Sequence, residues 1–235
     1  MTSIPPVRAV LFDLDGTLVD SEMYTGRAVD AVAGRHGIAG FTLPVTETQG
    51  RTWAHIADEI RARTGIRVPT QLLAAELLAE WNAVATTVAP IPGATEAVRA
   101  AATSELKLGV VSSSPRSVID SFLRMLGIED CIEPRARIGG DAVQATKPDP
   151  EGFLLAARAL DVAPPETLVF EDSRAGLLAA RAAGMRSIFV TCRAANIAEN
   201  TALATAACVD YRALPPDFWD QLRRGGFDLG ARSFA

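Results

Sequence analysis

The sequence predicts an α/β fold in which helices cover both faces of a parallel β-sheet and a helical segment follows the first strand. Three observations support this prediction. An apolar segment near the N-terminus ends on two aspartates, and the stretch after it has helical spacing of apolar residues without strand-like alternation. From Pro92 onward, short apolar segments alternate with helical ones, which is typical of a parallel sheet.

The first predicted strand covers residues 8–12 and is rich in Val, Leu and Phe. Asp13 and Asp15 follow it at once, and Gly16 comes next. A buried strand that ends on two acids is unfavourable unless their charge is compensated, and a divalent cation is the usual compensation. Asp13 and Asp15 are therefore the first candidates for a functional site.

The segment after this strand is predicted to be helical. Apolar residues recur at helical spacing over residues 24–36, 53–63 and 71–84. Gly37 and Gly65 are suitable ends for the first two of these helices. We expect a helical domain over residues 20–91, with residues 1–19 and 92–235 together forming the sheet domain.

The rest of the chain is assigned from the same alternation. Further strands are predicted over residues 106–111, around Ile138, and over residues 167–170 and 187–190, with a possible short edge strand over 208–211. Helices are predicted over residues 95–102, from Pro115 to Gly127, after Pro150 and over residues 175–183. We expect Ser114 to cap the helix that begins at Pro115. The segment from Leu214 is expected to form a short helix and a loose tail.

Polar residues follow several of these strands. Asp13, Ser112 and the pair Glu171–Asp172 each come where a strand ends. Because ligands of parallel sheets bind beyond the carboxyl ends of the strands, we expect these side chains to converge, with Lys147 on the same rim. Carboxylates suit Mg²⁺, and a lysine, a hydroxyl and backbone amides near Gly16 and after Ser112 could hold phosphate oxygens.

This set of residues supports covalent phosphoryl chemistry. A carboxylate beside a phosphate can attack phosphorus and form an aspartyl-phosphate, and a second acid can protonate the leaving oxygen and later activate water. Neutralising the charge on the transferring group would supply most of the catalysis. The bland alternatives are an Asp-Gly turn at Asp15, a solvent-exposed loop lysine at Lys147 and helix-terminal acids at Glu171 and Asp172.

Four motifs together resemble the haloacid dehalogenase superfamily of phosphatases, in the branch with a helical cap inserted after the first strand. They are residues 12–21 (FDLDGTLVDS), 110–114 (VVSSS), 147–150 (KPDP) and 170–173 (FEDS). They occur in the family's order over nearly the whole chain. The resemblance implies a Rossmann-like core of the haloacid dehalogenase fold, Mg²⁺ as cofactor and a small phosphate ester as substrate.

The resemblance also implies residue roles. Asp13 corresponds to the nucleophile and a magnesium ligand, and Asp15 corresponds to the general acid and base with its backbone carbonyl on the metal. Ser112 and Lys147 correspond to the phosphate-binding pair. The remaining metal ligands correspond to Asp172 and, directly or through water, Glu171. Since the dehalogenases of the superfamily lack an acid at the position of Asp15, phosphate-ester hydrolysis is the expected activity.

Several further residues have open roles. Ser113 is a candidate for phosphate binding, although capping or backbone roles are favoured for Ser113 and Ser114. Arg51 either reaches the substrate or is exposed to solvent. The same two interpretations apply to Arg116, and exposure to solvent is favoured for it. Asp20 and Ser21 either cap the first helix of the insertion, which is favoured, or act as hinge residues. His36 and His55 receive no catalytic role, and Trp53 and Trp81 are expected in the core of the insertion.

The expected function is hydrolysis of a sugar, polyol or glycolate phosphate through an aspartyl-phosphate on Asp13. A phosphomutase of the beta-phosphoglucomutase type is the alternative. It resembles this chain in all four motifs, but Thr25 and Trp53 stand where its cap histidine and arginine are expected. A phosphonatase needs a cap lysine, and residues 21–91 contain none. A non-catalytic binding protein on the same scaffold is a remote alternative, because all the acids of the four motifs are present.

Composition narrows the class of protein. A net charge of −5, with 49% hydrophobic and 22% charged residues, is typical of a globular protein and favours neither nucleic acid nor an anionic membrane as partner. No secretory signal or membrane-spanning stretch is recognisable. Three widely spaced cysteines predict buried free thiols rather than a disulfide or a zinc site. We expect a cytoplasmic monomer or weak homodimer.

Overall fold

The computed structural model describes residues 5–48, 51–85, 88–225, 229–230 and 233–234. Within these residues the chain forms a parallel sheet with the strand order β3-β2-β1-β4-β5-β6-β7. The strands are β1 (Ala9–Phe12), β2 (Lys107–Val111), β3 (Arg137–Ile138), β4 (Thr167–Glu171), β5 (Arg186–Val190), β6 (Ala206–Cys208) and β7 (Ser233–Phe234). The predicted α/β fold with a parallel sheet is confirmed.

The continuous apolar sequence of β1 follows from its central place in the sheet. It pairs in parallel with β2 on one side, where Leu11 is opposite Gly109, and with β4 on the other, where Leu11 is opposite Val169. All four residues of β1 are buried. A strand with both faces covered has no solvent face to which a polar residue could be assigned, so the alternation of apolar and polar residues is lost.

Helices cover both faces of the sheet. They are α5 (Ala94–Thr103), α6 (Arg116–Met125), α7 (Glu151–Leu160), α8 (Arg174–Ala182), α9 (Ile197–Thr201) and α10 (Phe218–Arg224). Val10 and Phe12 of β1 pack on the face that carries α5, α6 and α10, whereas Ala9 and Leu11 pack on the face that carries α7 and α8. Successive side chains of a strand point to opposite faces, so one short strand supplies both cores.

A separate helical unit, defined here as α1 to α4, lies between β1 and α5. Its helices are α1 (Glu22–Arg35), α2 (Val45–Thr48), α3 (Trp53–Thr64) and α4 (Thr70–Ala85). Their apolar faces form a core of their own, which includes Val29, Val32, Ile56, Ile60, Leu73 and Leu77. The two connections to the sheet run side by side, since the Asp20 amide donates to the Ala89 carbonyl at 2.8 Å and Val19 bridges Pro90.

The C-terminal segment differs from its prediction. The strand expected over residues 208–211 is Ala206–Cys208, and Tyr211 belongs to a short 3₁₀ turn. This strand is not at the edge, because Ser233 and Phe234 pair with Ala207 and Cys208. The prediction of a loose tail is therefore wrong at residues 233–234, where the Phe234 ring packs edge-on against Phe218 with centroids 5.8 Å apart.

The three cysteines are free, as predicted, but only Cys208 is buried, whereas Cys131 and Cys192 are half-buried. None of the helices in the described ranges combines the length and apolar character that a bilayer-spanning segment needs.

Candidate active site

The carboxyl ends of β1, β2 and β4 bring the predicted site residues together. Asp13 directly follows β1, Ser112 follows β2, and Glu171 is the last residue of β4 with Asp172 next to it. Lys147 reaches the same place from the loop before α7. All five side chains are buried, with exposed fractions of 7% or less. The convergence that the strand ends predicted is present.

Lys147 is the central cation of the site. Its ammonium donates to Asp13 Oδ1 at 2.5 Å, to Glu171 Oε2 at 2.8 Å and to the Val111 carbonyl at 3.0 Å. Burial alone would lower the pKa of Lys147, but the charges of Asp13 and Glu171 outweigh it and raise that pKa. Lys147 therefore stays charged, and its three hydrogen bonds hold it against the nucleophile candidate.

Three carboxylates cluster at this ammonium, and two of them, Asp13 and Glu171, contact it. Asp13, Glu171 and Asp172 each offer an oxygen, and the three oxygens lie within 4.8 Å of one another. Burial, followed by the charge of Glu171, raises the pKa of Asp13 to about 8, although Lys147 opposes the shift. Because one lysine cannot neutralise three ionised acids, the cluster has an excess of negative charge. Hard oxygen donors with excess negative charge fit a cation such as Mg²⁺.

Two glycines allow this cluster to pack closely. Gly16 has a φ of +81°, and a Cβ built on it would lie 1.9 Å from Asp172 Oδ2. The neighbouring Thr17 hydroxyl donates to Asp172 Oδ1 at 3.3 Å. A Cβ on Gly176 in α8 would lie 1.7 Å from Glu171 Oε2. Gly16, predicted as part of an anion-binding turn, therefore also makes room for a candidate metal ligand.

Asp15 faces a different group of side chains. Its carboxylate accepts from Ser21 at 2.7 Å, from Ser114 at 3.0 Å and from Ser112 at 3.3 Å. Burial raises the pKa of Asp15, while these three hydroxyls oppose the rise. The Asp15 side chain is not part of the acid cluster of Asp13. Its environment therefore suits proton transfer rather than side-chain coordination of a cation.

Two predictions of capping are wrong here. Pro115, not Ser114, occupies the N-cap position of α6, and the Ser114 hydroxyl donates to Asp15 instead of capping. Ser21 lies at the N-cap position of α1 but makes no side-chain cap, since its hydroxyl also donates to Asp15. Ser114 lies two residues after Ser112, and both hydroxyls donate to Asp15, which is distant in the sequence. No local signal identified Ser21.

The flanking charged residues have structural partners. Asp20 accepts from Arg193 Nε at 2.7 Å, so it neither caps α1 nor faces the acid cluster. Arg116 points away from the serines, donating to Asp120 Oδ2 at 3.0 Å and to the Arg137 carbonyl at 2.9 Å. The Arg116 side chain is still 37% exposed and does not line the cleft, as its favoured interpretation required, and it forms an ion pair on the helix surface.

A narrow cleft separates the helical unit from these strand ends. Asp13, Asp15 and the three serines Ser112, Ser113 and Ser114 line its floor. The helical unit contributes Thr25, Thr48, Arg51, Trp53, Ile56 and Trp81. Arg51 thus lies where it can reach a bound substrate, as one of its two interpretations required. Trp53 and Trp81 pack edge-on at 5.9 Å and serve both the cleft wall and the core.

Neither histidine belongs to the described lining of this cleft. His36 is hydrogen-bonded through Nε2 to Glu76 Oε2 at 2.9 Å on the surface of the helical unit, and His55 is exposed on α3.

Comparison with known proteins agrees with this geometry. A family model described as haloacid dehalogenase-like hydrolase matches residues 7–184. The chain belongs to this family. Validoxylamine A 7'-phosphate phosphatase of Streptomyces hygroscopicus subsp. limoneus is 35% identical over 190 residues, covering 78% of this chain and 85% of that protein. Phosphoglycolate phosphatase of Escherichia coli strain K12 is 32% identical over 219 residues, covering 81% of this chain and 84% of that protein.

A solved structure shows the same fold. The beta-phosphoglucomutase of Clostridium difficile superposes with a TM-score of 0.76 at 23% identity, covering 93% of this chain and 97% of that one. At this identity the likeness concerns the fold alone. The predicted family and the predicted class of enzyme, a phosphatase of the haloacid dehalogenase-like hydrolases, are confirmed.

Proposed function

We propose that this protein is a Mg²⁺-dependent phosphatase that hydrolyses a small phosphorylated metabolite through an aspartyl-phosphate on Asp13. The observation that carries the proposal is the position of Asp13. It accepts a hydrogen bond from Lys147, belongs to the acid cluster and lines the cleft. A carboxylate so placed is oriented by an ammonium and faces the space in which a phosphate ester would lie.

In the first step, an Asp13 carboxylate oxygen attacks phosphorus and the ester P–O bond breaks. Asp15 supplies the proton that the leaving alkoxide needs, which agrees with the burial that raises its pKa. Water then attacks the aspartyl-phosphate, Asp15 takes the proton from that water, and the Asp13 carboxylate is released with inorganic phosphate. Both carboxyl groups return to their starting protonation states.

The remaining residues bind and orient. Lys147 holds Asp13 and offers positive charge to the transferring group, and Ser112 and Ser113 provide hydroxyls on the cleft floor. Asp13, Asp172, Glu171 and the backbone carbonyl of Asp15 would hold Mg²⁺. When bound, Mg²⁺ would neutralise the phosphoryl oxygens and the excess charge of the acid cluster.

We further propose that the helical unit, residues 20–91, acts as a cap over the catalytic domain formed by residues 1–19 and 92–235. Its residues form the wall of the cleft opposite Asp13, so they would contact the leaving group. A sugar, polyol or glycolate phosphate is the expected substrate class, which agrees with the phosphatase names of two relatives. Cytoplasmic location and a monomer or weak homodimer stay predictions.

Phosphomutase activity is the second candidate. The position of Arg51 on the cleft favours it, because a mutase needs a cation in the cap for the second phosphate of its bisphosphate intermediate. Thr25 and Trp53, which stand where the mutase histidine and arginine are expected, line the same cleft and argue for hydrolysis.

Phosphate release from a panel of phosphorylated metabolites, with and without Mg²⁺, tests the proposal. We expect release from a few substrates, loss of release with a chelator, and loss of at least about 1,000-fold in kcat for Asp13→Asn. Asp130→Asn, a change of the same chemistry at an exposed acid outside the cleft, should retain the wild-type rate.

Wild-type protein that releases no phosphate from any member of the panel would contradict the hydrolase. Interconversion of sugar phosphates in the presence of a bisphosphate primer, without net phosphate release, would instead establish the mutase.

A further inference from the structure

The ring of Tyr211 packs against the strand ends that carry the candidate active site. It stacks on Phe170 with centroids 5.2 Å apart, and its centroid lies 6.3 Å from that of Phe12. Phe12 and Phe170 are the residues directly before Asp13 and Glu171. The ring therefore belongs to the core directly next to two carboxylates of the acid cluster.

The surrounding backbone holds this ring in place. Tyr211 begins a short 3₁₀ turn after β6, in which Asp210 Oδ1 accepts from the Arg212 amide at 2.9 Å. The Tyr211 amide donates to the Pro92 carbonyl at 3.2 Å. Gly93 lies so close that a Cβ built on it would be 3.2 Å from Tyr211 Cβ. Because the side chain is only 4% exposed, its hydroxyl cannot turn out to solvent.

The Tyr211 hydroxyl is not explained by packing. It is buried and has no hydrogen-bond partner among the described residues. A phenylalanine would make the same ring contacts, and a buried hydroxyl without a partner costs about 1–3 kcal/mol. Buried polar groups of this kind call for a functional explanation, such as a partner that comes with a bound ion.

The electrostatic surroundings of the hydroxyl indicate the acid cluster as its partner. Burial raises the pKa of Tyr211 well above its usual value. Cys208, Asp13 and Asp172 raise that pKa further, so these three groups are close enough to act on the hydroxyl. The hydroxyl keeps its proton and is a hydrogen-bond donor. Carboxylates are much stronger acceptors than a thiol, which favours Asp13 and Asp172 over Cys208.

We propose that Tyr211 is a positioning residue of the metal site, whose hydroxyl donates to the carboxylates of Asp13 and Asp172, directly or through one water, when Mg²⁺ is bound. This inference rests on the proposed function, because it assumes that the acid cluster holds Mg²⁺. Mg²⁺ usually keeps several waters in proteins, and these suit a nearby hydroxyl that has no other partner. Groups that hydrogen-bond metal ligands orient them, and loss of such a group weakens metal binding about 10- to 100-fold.

The test combines calorimetric titration with Mg²⁺ and urea unfolding in the presence of a chelator, both on Tyr211→Phe. Thr17→Val is the comparison variant, because the Thr17 hydroxyl already donates to Asp172 Oδ1 at 3.3 Å in this structure. Tyr24→Phe controls for the loss of a tyrosine hydroxyl, since Tyr24 lies on α1, outside the acid cluster.

We expect Tyr211→Phe to bind Mg²⁺ at least ~10-fold more weakly than wild type. In chelator the same variant should unfold at the wild-type urea concentration or above it, because the lost hydroxyl had no partner. Thr17→Val should lose both Mg²⁺ affinity and stability in chelator, since it removes an existing hydrogen bond. Tyr24→Phe should keep the wild-type affinity for Mg²⁺.

Two results would overturn the inference while leaving a Mg²⁺-dependent phosphatase intact. One is a Tyr211→Phe variant that binds Mg²⁺ as tightly as wild type does. The other is a Tyr211→Phe variant that loses as much stability in chelator as Thr17→Val, because its hydroxyl then has a purely structural partner. Wild-type protein that binds no Mg²⁺ would contradict both the inference and the proposed cofactor, so the two kinds of failure are distinguishable.

Discussion

Gly176→Ala should destabilise this protein, although alanine is the better helix former. Gly176 lies in α8 directly beneath the acid cluster, and its backbone does not require glycine's left-handed conformation. The difficulty is space. A Cβ at this position would lie 1.7 Å from Glu171 Oε2 and 2.0 Å from Glu171 Cδ. Glu171 is fully buried, so its carboxylate has no solvent-filled space into which it could move.

The size of the effect follows from what Glu171 would lose. Its Oε2 accepts from Lys147 at 2.8 Å, and a hydrogen bond between charged groups contributes about 1.5–3 kcal/mol. Overpacking of a core adds about 1–3 kcal/mol, whereas the better helix propensity of alanine returns up to ~1 kcal/mol. Together these contributions lower the expected free energy of unfolding by about 1.5–6 kcal/mol.

Urea unfolding in the presence of a chelator measures this change without a contribution from bound metal. Gly34→Ala is the matched control, because Gly34 is an exposed position of α1 and a Cβ there would meet no atom within 4 Å. That variant should be more stable than wild type by up to ~1 kcal/mol. If Gly176→Ala also unfolds at higher urea than wild type, the packing argument for Glu171 is wrong.

Three other predictions concern protons and hydroxyls. Burial raises the pKa of Asp13 to about 8, so calorimetric Mg²⁺ affinity should rise with pH up to that value, by at most ~10-fold per pH unit. Asp13→Asn should remove this dependence of Mg²⁺ affinity on pH. A wild-type Mg²⁺ affinity that does not change with pH would contradict the prediction. Ser114→Ala removes a hydrogen bond to ionised Asp15, so the pKa of Asp15 should rise further. We expect kcat to fall about 10-fold and the alkaline limb of the pH–rate profile to move to higher pH. An alkaline limb that stays at the wild-type pH would contradict this role of Ser114. Partial burial would raise the pKa of Asp120, but hydrogen bonds from Arg137 and Arg116 outweigh it and hold that pKa below its ordinary value of 3.8. The resulting stability is present above that pH and is lost as pH falls through the lower folded value. The stability difference between wild type and Asp120→Asn in urea should therefore shrink in acid, and a constant difference would exclude the linkage.

The central strands could be predicted because their apolar composition indicates that they are buried. The buried residues of β1, and those of β4 after Thr167, are apolar until the chain reaches Asp13 and Glu171. Such a segment has one stable place, a sheet interior covered on both faces. Three helices of the inserted unit, α1, α3 and α4, could also be predicted, since their apolar spacing matches one buried stripe, whereas the short α2 was not predicted. Boundaries differed from prediction by one or two residues.

Hydrogen-bond and strand-pairing partners were harder to predict from the sequence. Ser114 and Ser21 have the residue types and positions of helix caps, and this pattern does not indicate that their hydroxyls donate to Asp15 instead. Their partner Asp15 lies 99 residues from Ser114, so the contact exists because β1 and β2 are neighbours in the sheet. Likewise, β7 is too short to be recognised, and it forms because β6 offers it an unpaired edge.

The sequence by itself determined the family, the fold and the acids that meet at the candidate active site. These depend on local composition and on one rule, that the carboxyl ends of parallel strands meet at the same edge of the sheet. Tertiary structure alone decided that three serines surround Asp15, that Gly176 sets the position of Glu171, and that Arg51 and Arg174 face one cavity. The contacts of Ser112 and Ser114 with Asp15, and the cavity shared by Arg51 and Arg174, join segments far apart in the chain, and their distances depend on how whole elements pack. Ser21 and Gly176 lie only six and five residues from Asp15 and Glu171, and there the distance depends on how the chain turns between two elements.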